Sequence, residues 1–218
     1  MKILIISKDN IWTEKLVQMA PINSIHSSSC TKELIDDISP DWIFFFHWSE
    51  IVSKDIYENY RCAVIHTGNL PEGRGGSPIQ NQILDGICNT NVNIIEMSEP
   101  IDSGAVYCSH PITLQGTITD IWMSIAVTAH KLIMKCVSED LTPKCQQGIS
   151  YTYNRIKTNK INFNSPHRDL SYIYDQIRMV DSEDYPNPYV EIGDYRIEFS
   201  RAKMNNNNII TDAKITKK

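Results

Sequence analysis

The sequence predicts an α/β fold, with a doubly wound, mostly parallel sheet and a small helix-plus-hairpin subdomain towards the carboxyl end. Short apolar runs at 2–6, 41–46 and 62–65 read as strands, and the segments between them have helical periodicity. Continuous apolar runs bounded by turn residues are the pattern of strands covered on both faces. Strands alternating with helices close into a parallel sheet. In such sheets ligands bind beyond the carboxyl ends of the strands. Residue His66 and the segment after Phe46 lie at such ends.

Taken in order, the run 2–6 ends at Ser-Lys-Asp-Asn, and Asn10 is suited to cap a helix whose apolar side is Trp12, Leu16, Val17 and Met19. Ser39-Pro40 stops the next helical stretch before the second apolar run. Ser77-Pro78 starts a helix with Ile79, Ile83 and Leu84 inward, and Asp85-Gly86 closes it. Residues 92–97 and 106–112 read as neighbouring strands joined through the turn that holds Asp102. Thr117 and Asp120 form a capping-box-like start, with Asp where Glu is usual. Ile121, Ile125, Ala129, Leu132, Ile133 and Cys136 then follow at helical spacing.

A division falls near residue 150, giving a main domain over 1–150 and a small subdomain over 151–204. Within the latter, Pro166 opens a helix with Leu170, Ile173, Tyr174, Ile177 and Val180 on one face. Two prolines make 185–188 irregular, and Gly193-Asp194 is a two-residue hairpin signal. Four consecutive asparagines and a lysine-rich end make 205–218 a disordered tail on composition.

The chain has 218 residues, 41% hydrophobic and 22% charged, which suits a globular protein with a sizeable core. Net charge is −5 and the pI about 5.7, so no global basic surface is available for nucleic acid or anionic lipid. The six cysteines are scattered, and neither they nor the histidines show metal-ligand spacing, so no metal is expected. The opening Met-Lys-Ile-Leu-Ile-Ile is too short for a signal peptide and no stretch approaches a membrane span; a cytoplasmic location is expected.

The chemistry concentrates in His66-Thr-Gly-Asn-Leu-Pro71, Glu-Gly-Arg74-Gly-Gly-Ser-Pro78 and Pro100-Ile-Asp102-Ser-Gly104. An imidazole at a strand mouth can polarise a carbonyl and stabilise the oxyanion formed when an amine attacks it. A carboxylate facing it can take the proton from the attacking ammonium, directly or through a water. For His66 the bland alternative is a capping histidine, and for Asp102 a simple turn aspartate. Arg74 presents a fork of donors for a phosphate or sugar, helped by the backbone of Gly75 and Gly76. An arginine that merely ties the loop down explains the same residue equally well.

This set of motifs resembles the signature of the folate-dependent formyltransferases. Family members carry a histidine five residues before a proline, then Arg-Gly and a further proline, and later an aspartate in an Ile/Leu-Asp-Ser/Thr/Gly-Gly turn. His66, Pro71, Arg74-Gly75, Pro78 and Asp102-Ser-Gly104 fill those places, and 146–153 is similar to the Gln-x-Gly-x-x-Tyr stretch of the tRNA and sugar branches. The resemblance implies 10-formyltetrahydrofolate as donor co-substrate. It also implies that the pterin lies against Trp48, Ser49, Glu50 and Ile51, with Ile101 beside them. Packing alone explains Trp48 and Ile51 equally well.

One departure matters: relatives carry asparagine two residues before the histidine, where this chain has Val64. The loss of an oxyanion donor costs about 10²–10³ in rate. Asn69 is the expected stand-in, with Thr67 as another candidate.

On exclusion, the expected acceptor is a small-molecule amine on a nucleotide-linked sugar, which places the chain on the sugar N-formyltransferase branch. The acidic balance and the absence of a large basic carboxyl-terminal domain disfavour RNA. No nucleic-acid and no membrane partner is therefore expected, and a homodimer is left open. The alternatives are methionyl-tRNA or glycinamide ribonucleotide as acceptor, or a folate- or sugar-nucleotide-binding protein impaired by Val64.

Overall fold

The computed structural model describes residues 1–139, 141–161, 163 and 169–218. The chain divides into two compact units. Met1–Gly75, Thr90–Ile112 and Trp122–Thr152 form the first; Gly76–Asn89, Thr113–Ile121 and Tyr153–Lys218 form the second. The single cut at 150 is thus replaced by an interleaved division. Tyr153 donates from its hydroxyl to Asp85, Asn81 donates to the carbonyl of Asn154, and Ile156 N–H donates to Ser77 Oγ. Those bonds claim residues 76–89 for the second unit.

The first unit is built on a six-stranded sheet. Its strands are β1 (Ile3–Ile6), β2 (Ser24–Ser27), β3 (Trp42–Phe45), β4 (Cys62–Thr67), β6 (Asn89–Glu96) and β7 (Val106–Thr113), in the order β2-β1-β3-β4-β6-β7. β1 pairs in parallel with β2 and β3, and β3 with β4, whereas β6 runs antiparallel to β4. The sheet is therefore doubly wound and mostly parallel, as the apolar runs predict. β2 has no counterpart in the sequence reading: Ser-Ile-His-Ser lacks an aliphatic run, and as an edge strand it has only β1 to pair with.

All four residues of β1 and of β3 are buried. Leu4, Ile6, Ile43 and Phe45 form one cluster with Ile35, Ile56 and Cys62. Each such side chain contributes about 1.5–3 kcal/mol. α1 (Ile11–Met19) is capped by Asn10, which accepts from Thr13 N–H, and it buries Trp12, Thr13 and Leu16. Val17 and Met19 are only half-buried. α2 (Lys32–Ile38) stops at Ser39, which is left-handed at φ 48°. α3 (Lys54–Tyr57) precedes β4, and β5 (Glu72–Gly75) pairs with β8 (Tyr151–Tyr153).

In the second unit α4 (Pro78–Leu84) begins with Pro78, but Ser77 caps by position alone; its hydroxyl serves Ile156. The start of α5 (Ile118–Ser138) is the reciprocal box expected, with Thr117 N–H donating to Asp120 and Asp120 N–H to Thr117. α6 (Leu170–Arg178) is capped by Asp169, and the helix opening proposed at Pro166 lies outside the described residues. β9 (Tyr189–Ile192), β10 (Tyr195–Asn205) and β11 (Asn208–Lys217) form an antiparallel sheet in the order β11-β10-β9.

The segment 205–218, expected to be a disordered tail, instead forms β11 and the turn before it. Asn205 pairs with Asn208, so the asparagine run turns a hairpin instead of solvating a coil, and β11 pairs along β10 back to Tyr195. The β-branched residues Ile209, Ile210, Thr211, Ile215 and Thr216 suit that strand. Among the described residues, no helix is long and apolar enough to cross a membrane.

Candidate active site

β4 carries His66 one residue before its end, and the chain turns at once through Gly68, Asn69, Leu70 and Pro71 into β5. The imidazole is buried, and both ring nitrogens meet oxygens. Nε2 donates to the carbonyl of Gly73 at 2.9 Å, and Nδ1 lies 3.4 Å from Asp102 Oδ2. A carbonyl can only accept, so Nε2 carries a proton. The ring fits because residue 68 has no side chain: a Cβ there would come within 3.1 Å of the Gly73 carbonyl and 3.2 Å of His66 Nε2.

Asp102 belongs to the turn after β6 and is left-handed, at φ 58°. That conformation costs a residue with a Cβ about 1–2 kcal/mol, and a short polar side chain tolerates it best. Several bonds hold the turn. Gly75 N–H donates to Asp102 Oδ2 at 2.9 Å, Ser103 N–H donates to the Pro100 carbonyl, and Ser103 Oγ lies 3.2 Å from Ser98 Oγ. Gly104 is pressed onto the end of β6, where a Cβ would stand 1.9 Å from the Glu96 carbonyl oxygen. His66 and Asp102, distant in sequence, thereby become one site. A protonated nitrogen for a developing oxyanion and a carboxylate for a departing proton are what formyl transfer to an amine needs.

Other candidates fall outside this pair. Asn69 is exposed, and its Oδ1 accepts from Asn91 Nδ2 at 2.9 Å. Val64 is half-buried and shares the strand face of His66 by two-residue spacing. Arg74 donates through Nε and Nη2 to Gln146 Oε1 at 3.0 and 2.6 Å, so much of its fork is spent inside the protein. The Gly75 N–H is spent on Asp102, and the Gly76 N–H on the Tyr153 carbonyl. Neither backbone donor remains as the sequence reading expected for an acceptor.

In the segment after β3, Trp48 packs on the core cluster, 6.3 Å from Phe45 between ring centroids. Ser49 is exposed and Glu50 reaches Lys8 at 3.5 Å. Ile51 and Ile101, by contrast, are 83% and 60% exposed, apolar side chains that the core does not use.

Asn93 escaped the sequence reading. It stands opposite His66 across β4 and β6, is buried, and donates from Nδ2 to the carbonyls of His66 and Gly68 at 3.3 and 2.8 Å. Its Oδ1 accepts from Ser109 at 2.6 Å. The signal was an amide within an apolar strand, because a buried amide must find partners.

A family model for the methionyl-tRNA formyltransferase carboxyl-terminal domain matches residues 157–216. The methionyl-tRNA formyltransferase of Geobacillus sp. (strain WCH70) is 31% identical over 150 residues, covering 64% of this chain and 46% of that protein. The chain thus spans about half the length of that curated relative. The structure is similar to that of methionyl-tRNA formyltransferase from Clostridium thermocellum, with a TM-score of 0.92 and 34% identity over 100% of both chains. It also shares its fold with HypX from Aquifex aeolicus in complex with tetrahydrofolic acid, with a TM-score of 0.77, 16% identity, and coverage of 93% of this chain and 38% of that one.

Two expectations are overturned by these matches: placement on the sugar N-formyltransferase branch, and the exclusion of a nucleic-acid partner. The 34% match over both full chains, the Geobacillus relative and the model over 157–216 all carry the name of a tRNA-formylating protein. A whole-chain net charge averages away local surfaces, and reading β11 as a loose tail left its lysines out of account.

Proposed function

The chain belongs to the methionyl-tRNA formyltransferase family, and we propose that it moves a formyl group from 10-formyltetrahydrofolate to the amine of a methionyl-tRNA. The 3.4 Å approach of His66 Nδ1 to Asp102 Oδ2 at the mouth of β4 is the observation that supports the reaction. In this reading the His66 Nε2–H exchanges its Gly73 carbonyl for the formyl oxygen. The amine attacks the formyl carbon, the oxyanion draws on that donor, and Asp102 accepts the ammonium proton. The oxyanion then collapses, the bond from the formyl carbon to the folate nitrogen breaks, and that nitrogen takes up a proton as tetrahydrofolate leaves. Among the described residues, no hydrogen bond is made to Asp102 Oδ1, which suits it as the acceptor. Exposed Ile51 and Ile101 are the apolar surface offered to the pterin.

The relatives and the local charge both favour tRNA as the acceptor. β10 and β11 carry Arg196, Arg201, Lys203, Lys214 and Lys217, followed by Lys218, against only Glu198 and Asp212. A basic hairpin is what a phosphate backbone requires, whatever the sign of the whole chain.

Mixing the protein with 10-formyltetrahydrofolate and methionyl-tRNA tests this reading, with glycinamide ribonucleotide as the competing amine. Formylmethionyl-tRNA is the expected product; formylation of the ribonucleotide alone would overturn the acceptor. Val64 favours a second reading, a folate-binding protein without turnover. Tetrahydrofolate binding with no product on either amine would establish it.

A further inference from the structure

Gln146 lies between α5 and β8, in a segment without regular structure, and its side-chain amide makes four hydrogen bonds. Oε1 accepts from Arg74 Nε and Nη2 at 3.0 and 2.6 Å. Nε2 donates to the carbonyls of Asp102 and Gly104, both at 2.8 Å. A guanidinium can only donate and a carbonyl can only accept, so the amide has one orientation, and neither a carboxylate nor an ammonium can replace it.

These bonds close a ring. Arg74 is joined through the chain to Gly75, whose N–H holds the Asp102 carboxylate at 2.9 Å. The carbonyl of Asp102 is held by Gln146, and Gln146 is held by Arg74. Asp102 is therefore fixed at its side chain and its backbone by one circuit, and its left-handed φ of 58° is kept by bonds on both sides. Among the described residues, the Gln146 side chain makes no hydrogen bond to His66 or to Asp102 Oδ1.

We infer that Gln146 is a positioning residue for formyl transfer, holding the Asp102 turn through the Arg74 circuit so that the carboxylate stays against His66. This inference rests on the reading above that the His66–Asp102 pair carries the reaction. A residue that merely ties down the segment before β8 would affect stability and leave the turnover of the folded enzyme unchanged.

The test compares the full chain with Gln146→Met, which keeps the length and loses all four bonds, and Gln146→Glu, which keeps only the acceptor for Arg74. Both variants are checked for folding by thermal melting, then assayed with 10-formyltetrahydrofolate and methionyl-tRNA, and their structures are determined. Because displacement of a catalytic group by about 1 Å costs up to roughly 10²-fold in rate, kcat should fall roughly 10- to 100-fold in both. The KM for the folate donor should change less than kcat does. The separation of His66 Nδ1 from Asp102 Oδ2 should grow beyond its present 3.4 Å.

Wild-type kcat in folded Gln146→Met overturns the inference. So does wild-type kcat in Gln146→Glu, which would leave Gln146 anchoring Arg74 and nothing more. If Gln146→Met does not fold, Gln146→Glu alone decides. If the unaltered protein formylates no amine, the proposed reaction fails by itself. The variant structures still decide the positioning: an unmoved His66–Asp102 pair sinks it and a displaced pair sustains it.

Discussion

Oδ2 of Asp102 serves two partners at once, His66 Nδ1 at 3.4 Å and the backbone N–H of Gly75 at 2.9 Å. The second partner is what makes the first one lasting. A carboxylate held by an N–H from a neighbouring strand cannot swing into solvent, so the imidazole meets a stationary negative charge. The same bond removes Gly75 from the set of groups able to bind a substrate.

Asp102→Asn keeps the size of the side chain and removes its charge. Proton transfer by a positioned group is worth about 10²–10⁴-fold, so kcat should fall by at least roughly 10². Steady-state formyl transfer across a pH range measures it, and one limb of the pH–rate profile should vanish. A variant with unchanged rate and profile would make Asp102 a turn residue and nothing else.

Asn93→Leu tests the support beneath His66. The substitution removes the acceptor of the Ser109 hydroxyl, on an exposed residue, and leaves the carbonyls of the buried residues His66 and Gly68 without the amide donor. A buried polar group left unsatisfied costs about 1–3 kcal/mol, so the urea midpoint should drop accordingly. The folded fraction should also turn over more slowly, because the strand end that aims the imidazole has lost its brace. An unchanged midpoint would mean that water replaces the amide without loss.

What could be read from the sequence followed the reach of the interactions. β1, β3 and β4 announced themselves because strands buried on both faces read as continuous apolar runs, and the His66 and Asp102 motifs stood at the ends of predicted elements. The bonds that join them did not show: Gly75 to Asp102, Asn93 to His66 and Gln146 to Arg74 link residues far apart in sequence, and none changes local periodicity. β2 and β11 were missed for the same reason. Ser-Ile-His-Ser and the stretch after the asparagine run are strands only because β1 and β10 offer them backbone partners.

Gly104→Ala is predicted to damage the site without touching a reacting atom. Its Cβ would stand 1.9 Å from the Glu96 carbonyl oxygen, a backbone atom that cannot rotate away. The turn bearing Asp102 must therefore lift from β6, and kcat should fall further than thermal stability alone would suggest. A crystal structure of the variant with Asp102 still 3.4 Å from His66 would refute this.

His47 gives the fold an acid-sensitive point. Its ring stands edge-on to Trp12 and Trp122, with centroids 5.4 and 4.5 Å away, and burial, with Lys8 adding, pushes the imidazole down from 6.5 to about 4. The folded chain thus refuses a proton that the unfolded chain accepts. Stability is complete above pH 6.5 and is lost as pH falls towards 4, by about 2–3 kcal/mol for this group. Urea unfolding at pH 7 and pH 4.5 should show the loss, and His47→Gln should reduce the difference between the two pH values. The same acid slope in His47→Gln would assign the effect to other groups.

The hairpin of β10 and β11, whose second strand was expected to be a disordered tail, is the surface proposed for the acceptor. Lys203 and Lys217 are exposed on β10 and β11, and neither is in an ion pair among the described residues. Their charges are therefore available to a phosphate backbone, whereas Arg201 is already bound to Asp212. If methionyl-tRNA docks here, Lys203→Glu and Lys217→Glu should each weaken tRNA binding. Each should also flatten the dependence of log affinity on log salt, by roughly 0.7–0.9 for every phosphate that the lysine no longer neutralises. Turnover at saturating tRNA should stay near the wild-type rate, since neither residue belongs to the His66–Asp102 pair, and affinity for the folate donor should not move. Filter binding over a salt series reads the slope directly. Variants with unchanged affinity and slope would place the tRNA elsewhere on the protein and leave the basic hairpin without a role in acceptor binding.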